Sequence, residues 1–338
     1  MTVTPAEDAR PAETDGGDYD VVIIGAGISG IGAAYRLAES DPSTRYVILE
    51  RRDRVGGTWD LFRYPGVRSD SSIFTLSWPW EPWTGREYVA DGDVIRDYME
   101  DTAKKHGIFG HIRFHTTVVS TDWDSATDTW TVHAEENGVP MSYRGRFVFF
   151  GSGYYNYDEP YNPDFPGLDT FTGQVVHPQH WPEDLDYTGK NVVVIGSGAT
   201  AVSLVPALAR KAAHVTMLQR SPGYLLSMPR VNRWLQPVRK LLPNKASYTI
   251  VRTVALAFEK ITWVFARGLP GGMKKIVRWQ NTKQLPAGYP VDRDFKPRYN
   301  PWDQRLCLVP DDDLYEALNN GSASVVTDHI EKITPTGI

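Results

Sequence analysis

Gly25-Ala26-Gly27-Ile28-Ser29-Gly30 sets three glycines at the spacing with which a backbone cradles a pyrophosphate. The first allows a tight turn, the second lets main chain approach the phosphates, and the third lets a helix pack closely on the preceding strand. Free N–H groups at the start of that helix, together with its dipole, then favour the anion. Glu50 closes the next apolar run, where a carboxylate accepts hydrogen bonds from ribose hydroxyls. A second set, Gly196-Ser197-Gly198-Ala199-Thr200-Ala201, repeats the pattern with Ala in third place, and its following run closes on Gln219 and Arg220. An acid there would repel the extra phosphate of NADPH, whereas Arg pairs with it through charge-assisted bonds. These residues predict two dinucleotide sites, FAD at the first and NADPH at the second, with hydride passing from nicotinamide to flavin.

Each glycine set has to be presented by a strand, a helix and a second strand. Residues 21–24, a helix to about Glu39 and residues 45–49 supply the first unit; residues 192–195, a helix to about Lys211 and residues 214–218 supply the second. Each is about 30 residues long, the length of a nucleotide-binding half. Between them, residues 112–119, 121–123, 129–134 and 143–149 read as a strand meander with Asn137-Gly138 as a hairpin turn. It ends at Gly151-Ser152-Gly153. The predicted fold class is α/β, with two Rossmann-like dinucleotide-binding domains, a helical insertion and an incomplete FAD domain. The expected boundaries are a disordered tail at 1–18, the N-terminal part of the FAD-binding domain at 19–155, an inter-domain linker at 156–189, and an NADPH-binding domain at 190–338 carrying the helical insertion 231–285. Residues 324–327 and 330–333 are expected to start strands near the end.

Composition excludes several classes. At 338 residues there is room for two cores, and 41% hydrophobic with 23% charged residues excludes a mainly disordered chain. The tail carries acids where a signal peptide is positive, and no run reaches the ~18 apolar residues of a membrane span. A cytoplasmic protein is expected, with peripheral membrane association as the alternative. Cys307 is the single cysteine, which excludes a disulfide framework, a Cys-rich zinc site and the Cys pair of a disulfide reductase. A flavin that reacts with dioxygen is the better expectation. The net charge of −5 is unevenly spread: residues 221–300 hold 15 Lys and Arg against 3 Asp and Glu. Trp, Phe and Leu share that segment, which suits either a membrane surface or a lid over substrate and NADPH. No nucleic-acid recognition motif accompanies the charge.

The sequence resembles the type I Baeyer-Villiger monooxygenases. Phe171, Gly173, His177, Trp181 and Pro182 fit the family fingerprint F-x-G-x-x-x-H-x-x-x-W-P, and Gly56-Gly57-Thr58-Trp59, Tyr64-Pro65-Gly66 and Asp70 fit its longer second fingerprint. The stretches at 153–159, 177–187, 217–222 and 299–310 look like a mycobacterial, thioamide-oxidising branch. The resemblance implies FAD and NADPH as cofactors, dioxygen as co-substrate, and a small-molecule ketone or sulfur compound as substrate. It implies that Arg305 stabilises an anionic peroxyflavin and holds the nicotinamide, that Asp70 orients Arg305, and that Gly57, Trp59 and Asp70 are cofactor-binding. Gln304 departs from the Lys that many members place against the NADPH phosphate, which shifts weight to Arg220. Family members continue past the position matched by Ile338, so an inactive fragment is one alternative, and an NADPH-dependent flavin reductase or oxidase is another. His177 reads as a structural hinge, His111 and His115 carry no metal-binding spacing, Asp311-Asp312-Asp313 suits a helix's first turn, and Cys307 reads as a packed small residue.

Overall fold

The computed structural model describes residues 13–231, 233, 236–304 and 306–338. Most of the expected tail, and Arg305, lie outside the described residues. The chain forms two compact units: residues up to Leu61 with Asp93–Asn156, and Phe62–Gly92 with Tyr157–Ile338.

The first unit holds β1 (Thr14–Ile24), β2 (Tyr46–Leu49), β3 (Ile112–Arg113), β4 (Thr116–Asp124), β5 (Thr129–Glu136) and β6 (Val139–Phe150). They form one sheet in the order β3-β2-β1-β6-β5-β4. β3, β2, β1 and β6 are parallel, and β6, β5 and β4 continue as an antiparallel meander. Asn137 and Gly138 both have positive φ, 50° and 78°, as a two-residue hairpin turn of the primed type requires. Val22 of β1, Val47 and Leu49 of β2, Val132 and Ala134 of β5 and Tyr143 of β6 form one buried cluster. β1 begins at Thr14, inside the segment read as tail, and Thr14 to Tyr19 run beside Met141 to Gly145 of β6. Main-chain pairing needs no apolar run, and Arg144 adds charge by bonding Asp18 at 2.6 Å and Asp15 at 3.5 Å.

The second unit holds β7 (Asn191–Ile195), β8 (His214–Gln219), β9 (Tyr224–Met228), β10 (Leu306–Pro310) and β11 (Ala323–Thr327). The strands pair in parallel as β11-β8-β7 and as β10-β9. The helix Ala199–Leu208 follows β7, and the basic segment forms the helices Gln236–Leu241, Asn244–Gly268 and Pro270–Gln284. Val205, Leu208, Val215, Met217, Val309 and Leu314 are buried in one core. Residues 330–333 form no strand. Ile333 is instead buried where its N–H bonds Pro166 O at 2.7 Å, so a loop, not a strand edge, takes its backbone.

Phe62–Gly92 was expected within the FAD-binding domain but packs with the second unit. Tyr64 Oη lies 3.3 Å from Ser203 Oγ. Gly66, at φ +81°, sits so close to the helix Ala199–Leu208 that a Cβ would lie 2.6 Å from Ser203 O. Arg68 pairs with Asp313, and Arg252 donates to the carbonyls of Phe74 at 2.5 Å and Ser77 at 2.8 Å.

Candidate functional site

In the first unit, the apolar run of β1 ends at Ile24, and Gly25 turns the chain at φ +97°. A Cβ on Gly25 would lie 2.8 Å from Gly151 O, so the end of the meander forms the floor of the turn. A Cβ on Gly30 would lie 1.9 Å from Gly25 O, which no side chain permits. Gly27 is different: a Cβ there would meet only Gly57 Cα at 3.7 Å, an ordinary contact. Packing demands glycine at 25 and 30 but not at 27, where the position of a Cβ is open. Gly27 caps the helix Ile28–Ser40 with no side-chain hydrogen bond, so the N–H groups of the first turn are left for an anion.

Glu50 follows β2 and is 4% exposed. Its Oε2 accepts from Ala26 N at 2.7 Å and its Oε1 from Arg52 N at 2.9 Å. Burial pushes the carboxyl above the usual carboxylate range, against the pull of those two donors and of the Arg52 charge. Ala26 O in turn accepts from Gly56 N at 3.2 Å. Buried Ala26 thus ties together the glycine turn, Glu50 and the Gly56-Gly57 loop. Gly57 opens the short helix Thr58–Leu61, which carries half-buried Trp59, and the fully buried Asp60 anchors it by accepting from Arg52 Nε at 2.6 Å. Sequence reading missed Ala26, Arg52, Asp60 and the floor residue Gly151. Only Gly151, in its own glycine pair, gave a visible signal.

The second glycine turn lies wholly in the second unit. Gly196 has φ +143°, Gly198 caps the helix Ala199–Leu208, and Ala201 is buried on it. A Cβ on Gly196 would lie 3.9 Å from Ala201 Cβ, so this turn stands off its helix far enough to admit the methyl group. Strand register sharpens the acid comparison. Ile24 pairs with Leu49 and Ile195 with Leu218, so Gln219, not Arg220, stands where Glu50 does. Gln219 is buried and donates to Asp294 O at 2.8 Å and Thr327 Oγ1 at 2.9 Å. Arg220, the next residue, is exposed and enters no ion pair with the described residues. Gln304 is likewise exposed. Asp70 is exposed on the loop after Ser69, whose N–H bonds Ala90 O at 2.9 Å.

The first fingerprint, Phe171 to Pro182, builds the crossing segment. His177 Nδ1 accepts from Gln179 N at 3.2 Å and so caps the turn Pro178–His180, while burial and the neighbouring His180 hold its imidazole below the usual value. Trp181 meets Tyr187 edge to face, with ring centroids 6.3 Å apart. Asp311, Asp312 and Asp313 divide among separate partners, Arg230 N, Gln284 Nε2 and Arg68. Among the described residues no group of three or more His, Cys, Asp or Glu is placed to hold a metal ion.

Residues 83–275 match the family model described as flavin-binding monooxygenase-like, and residues 23–86 match that of an NAD(P)-binding Rossmann-like domain. FAD-containing monooxygenase EthA of Mycobacterium tuberculosis strain H37Rv is 52% identical over 320 residues, covering 94% of this chain and 65% of EthA. EthA of Mycolicibacterium smegmatis is 50% identical over 321 residues, covering 95% of this chain and 65% of its own length. The chain therefore spans 65% of the length of these curated relatives. Among solved structures, an oxidized steroid monooxygenase bound to NADP matches with a TM-score of 0.74 at 25% identity, over 92% of this chain and 65% of that one. OTEMO in complex with FAD and NADP shares the fold, with a TM-score of 0.74 at 21% identity over 94% of this chain and 68% of that one. On the family match and these identities, the chain belongs to the flavin-binding monooxygenase-like family.

Proposed function

We propose that this chain is the nucleotide-binding part of an FAD- and NADPH-dependent monooxygenase that transfers one oxygen atom from dioxygen to a ketone or to the sulfur of a compound such as a thioamide. The observation that carries the reading is the pair of glycine turns on parallel strands, one beside buried Glu50 and one beside exposed Arg220, within a family defined by flavin binding. The first turn fits a pyrophosphate, because Gly27 keeps its Cβ space clear for no packing reason. Flavin, when bound, supplies the electron and oxygen chemistry. Gly25, Gly27 and Gly30 hold its phosphates, Glu50 keeps lone pairs for ribose hydroxyls, and Gly57 and Trp59 border the same turn. Gly196, Gly198 and Ala201 hold the NADPH pyrophosphate, and Arg220 pairs with its extra phosphate, with Gln304 as a weaker neutral partner. Arg305 is assigned the cation that offsets negative charge on reacting oxygen, and Asp70 its orientation.

The test is direct. The purified chain should carry flavin absorbance and, with NADPH and isotope-labelled dioxygen, place the label in a thioamide S-oxide or an ester formed from a ketone, as read by mass spectrometry. Arg305→Ala should lose the labelled product. NADPH consumption with no label in any product would replace oxygen transfer with the flavin reductase or oxidase reading, and a colourless chain that takes up no added FAD would favour the inactive fragment.

A further inference from the structure

The helices Asn244–Gly268 and Pro270–Gln284 leave an apolar surface uncovered within the second unit. Ile250, Val254, Phe258, Ile261 and Val264 recur at three- and four-residue spacing along one helical face. All five are exposed, Ile261 to 67%. Leu269 at the helix junction and Trp279 on the next helix are exposed as well, at 62% and 63%. Single exposed apolar residues are ordinary, but a periodic run of them marks a contact surface.

The charge around this face has one sign. Between residues 236 and 285 Glu259 is the sole acid. It faces inward and accepts from the hydroxyls of Thr75 at 3.2 Å and Tyr88 at 3.4 Å. Lys240, Lys245, Lys260, Lys274, Lys275 and Lys283 enter no ion pair with the described residues. Lys260 Nζ sits 4.6 Å from the Trp263 ring centroid and Lys283 Nζ 5.4 Å from that of Trp279, which pairs ammonium heads with indoles as at a polar–apolar boundary. Beside the second helix, a cavity of about 620 Å³ is lined by Lys274, Lys275, Arg278, Lys296 and Arg298 next to Phe295. Asp292 pairs with Arg278, at 2.6 Å, and Lys296, at 3.2 Å, and the other three of these five cations enter no ion pair with the described residues. No described helix is long and apolar enough to cross a membrane, so an apolar face here can lie on a bilayer but not traverse it.

We infer that this helical face docks on the surface of an anionic lipid bilayer, with the apolar stripe at the acyl boundary and the cationic cavity taking a lipid phosphate. Charge selects this occupant over a second copy of the chain. A two-fold contact through the same patch would set lysines against lysines, whereas anionic headgroups neutralise them.

Flotation of the 338-residue chain with vesicles of phosphatidylcholine, with and without phosphatidylglycerol, tests the inference. Binding is expected only to the anionic vesicles and should weaken as salt rises. The exposed pair Phe258→Asp and Ile261→Asp should abolish it, and Lys274→Glu with Lys275→Glu should weaken it on the order of 10-fold or more, with the melting temperature of both variants unchanged. No binding by the wild type, or equal binding by the aspartate pair, overturns docking. Inorganic phosphate that saturates the cavity without displacing vesicles would detach the cavity from the bilayer and overturn that half of the assignment. A dimer seen by light scattering, dissolved by Phe258→Asp, in a chain that ignores vesicles would replace the bilayer with a second copy.

Discussion

In the first glycine turn a Cβ on the third glycine would lie 1.9 Å from Gly25 O, while in the second turn Ala201 already carries that methyl and leaves 3.9 Å to the Cβ position of Gly196. The difference continues on the neighbouring strands. Glu50 is buried and bonded to Ala26 N inside the first turn, whereas its register counterpart Gln219 turns away to Asp294 O and Thr327. Two turns of one register are therefore closed in different ways. The first is locked by main chain and a carboxylate, and the second leaves room for the Ala201 methyl beside an exposed cation. Under the assignment proposed above, the first construction is the one for a retained FAD and the second the one for an exchanging NADPH.

The largest effect is expected from breaking the lock. Gly30→Ala places a methyl inside the contact radius of Gly25 O, and overpacking of this kind costs roughly 1–3 kcal/mol, with more where backbone cannot yield. Loss of flavin retention and a lowered melting temperature are both expected. A Gly30→Ala chain that melts and retains flavin like the wild type would remove the steric argument.

Next comes Glu50→Ala, which leaves the N–H groups of Ala26 and Arg52 without their acceptor, at about 1–3 kcal/mol for each group that stays buried. Glu50→Gln keeps one acceptor and should cost less. The pH dependence has a definite sign. Burial raises the folded-state pKa of Glu50, so the unfolded chain ionises first as pH rises. The contribution to stability is present below the ordinary carboxylate pKa and is lost as pH climbs through the raised one. Wild-type stability relative to Glu50→Gln should fall across that window in urea titrations; a rise would contradict the assignment of burial as the dominant cause.

On the open side, Arg220→Glu should leave the fold untouched, because the side chain is exposed and enters no ion pair with described residues. It should weaken NADPH far more than NADH, on the order of 10- to 100-fold in the ratio of their affinities, as expected when a charge-assisted phosphate contact becomes repulsive. An unchanged ratio would move phosphate recognition away from Arg220.

Much of this comparison was legible in the sequence, and the parts that were not share one property. Continuous apolar runs before Gly25 and Gly196 announced β1 and β7, and Asn137-Gly138 announced its hairpin, because those signals are local. Docking of Phe62–Gly92 on the second unit rests on Gly66 against Ser203 and Arg68 against Asp313, partners more than a hundred residues away. Nothing near Gly66 in the chain announces them. The same holds for Glu50, whose bond to Ala26 spans 24 positions, and for Gln219, whose equivalence to Glu50 appears only in the strand register. β1 began early at Thr14 because main-chain pairing with β6 compensates a segment that lacks apolar side chains.

The smallest expected effect completes the comparison. Ala201→Gly would give the second turn the glycine of the first. The lock should not follow, because a locked turn also needs an acceptor aimed at it from the strand end, and the Gln219 amide is turned instead toward Asp294 O and Thr327 Oγ1, to which its Nε2 donates. The substitution removes a methyl from a buried helical position and adds backbone freedom, which costs about 1 kcal/mol. Thermal unfolding should therefore shift slightly downward while NADPH affinity stays within a few-fold of the wild type. A large gain in affinity would mean that the methyl, and not Gln219 with Arg220, holds the second turn open, and the contrast between the two sites would then reduce to one carbon atom.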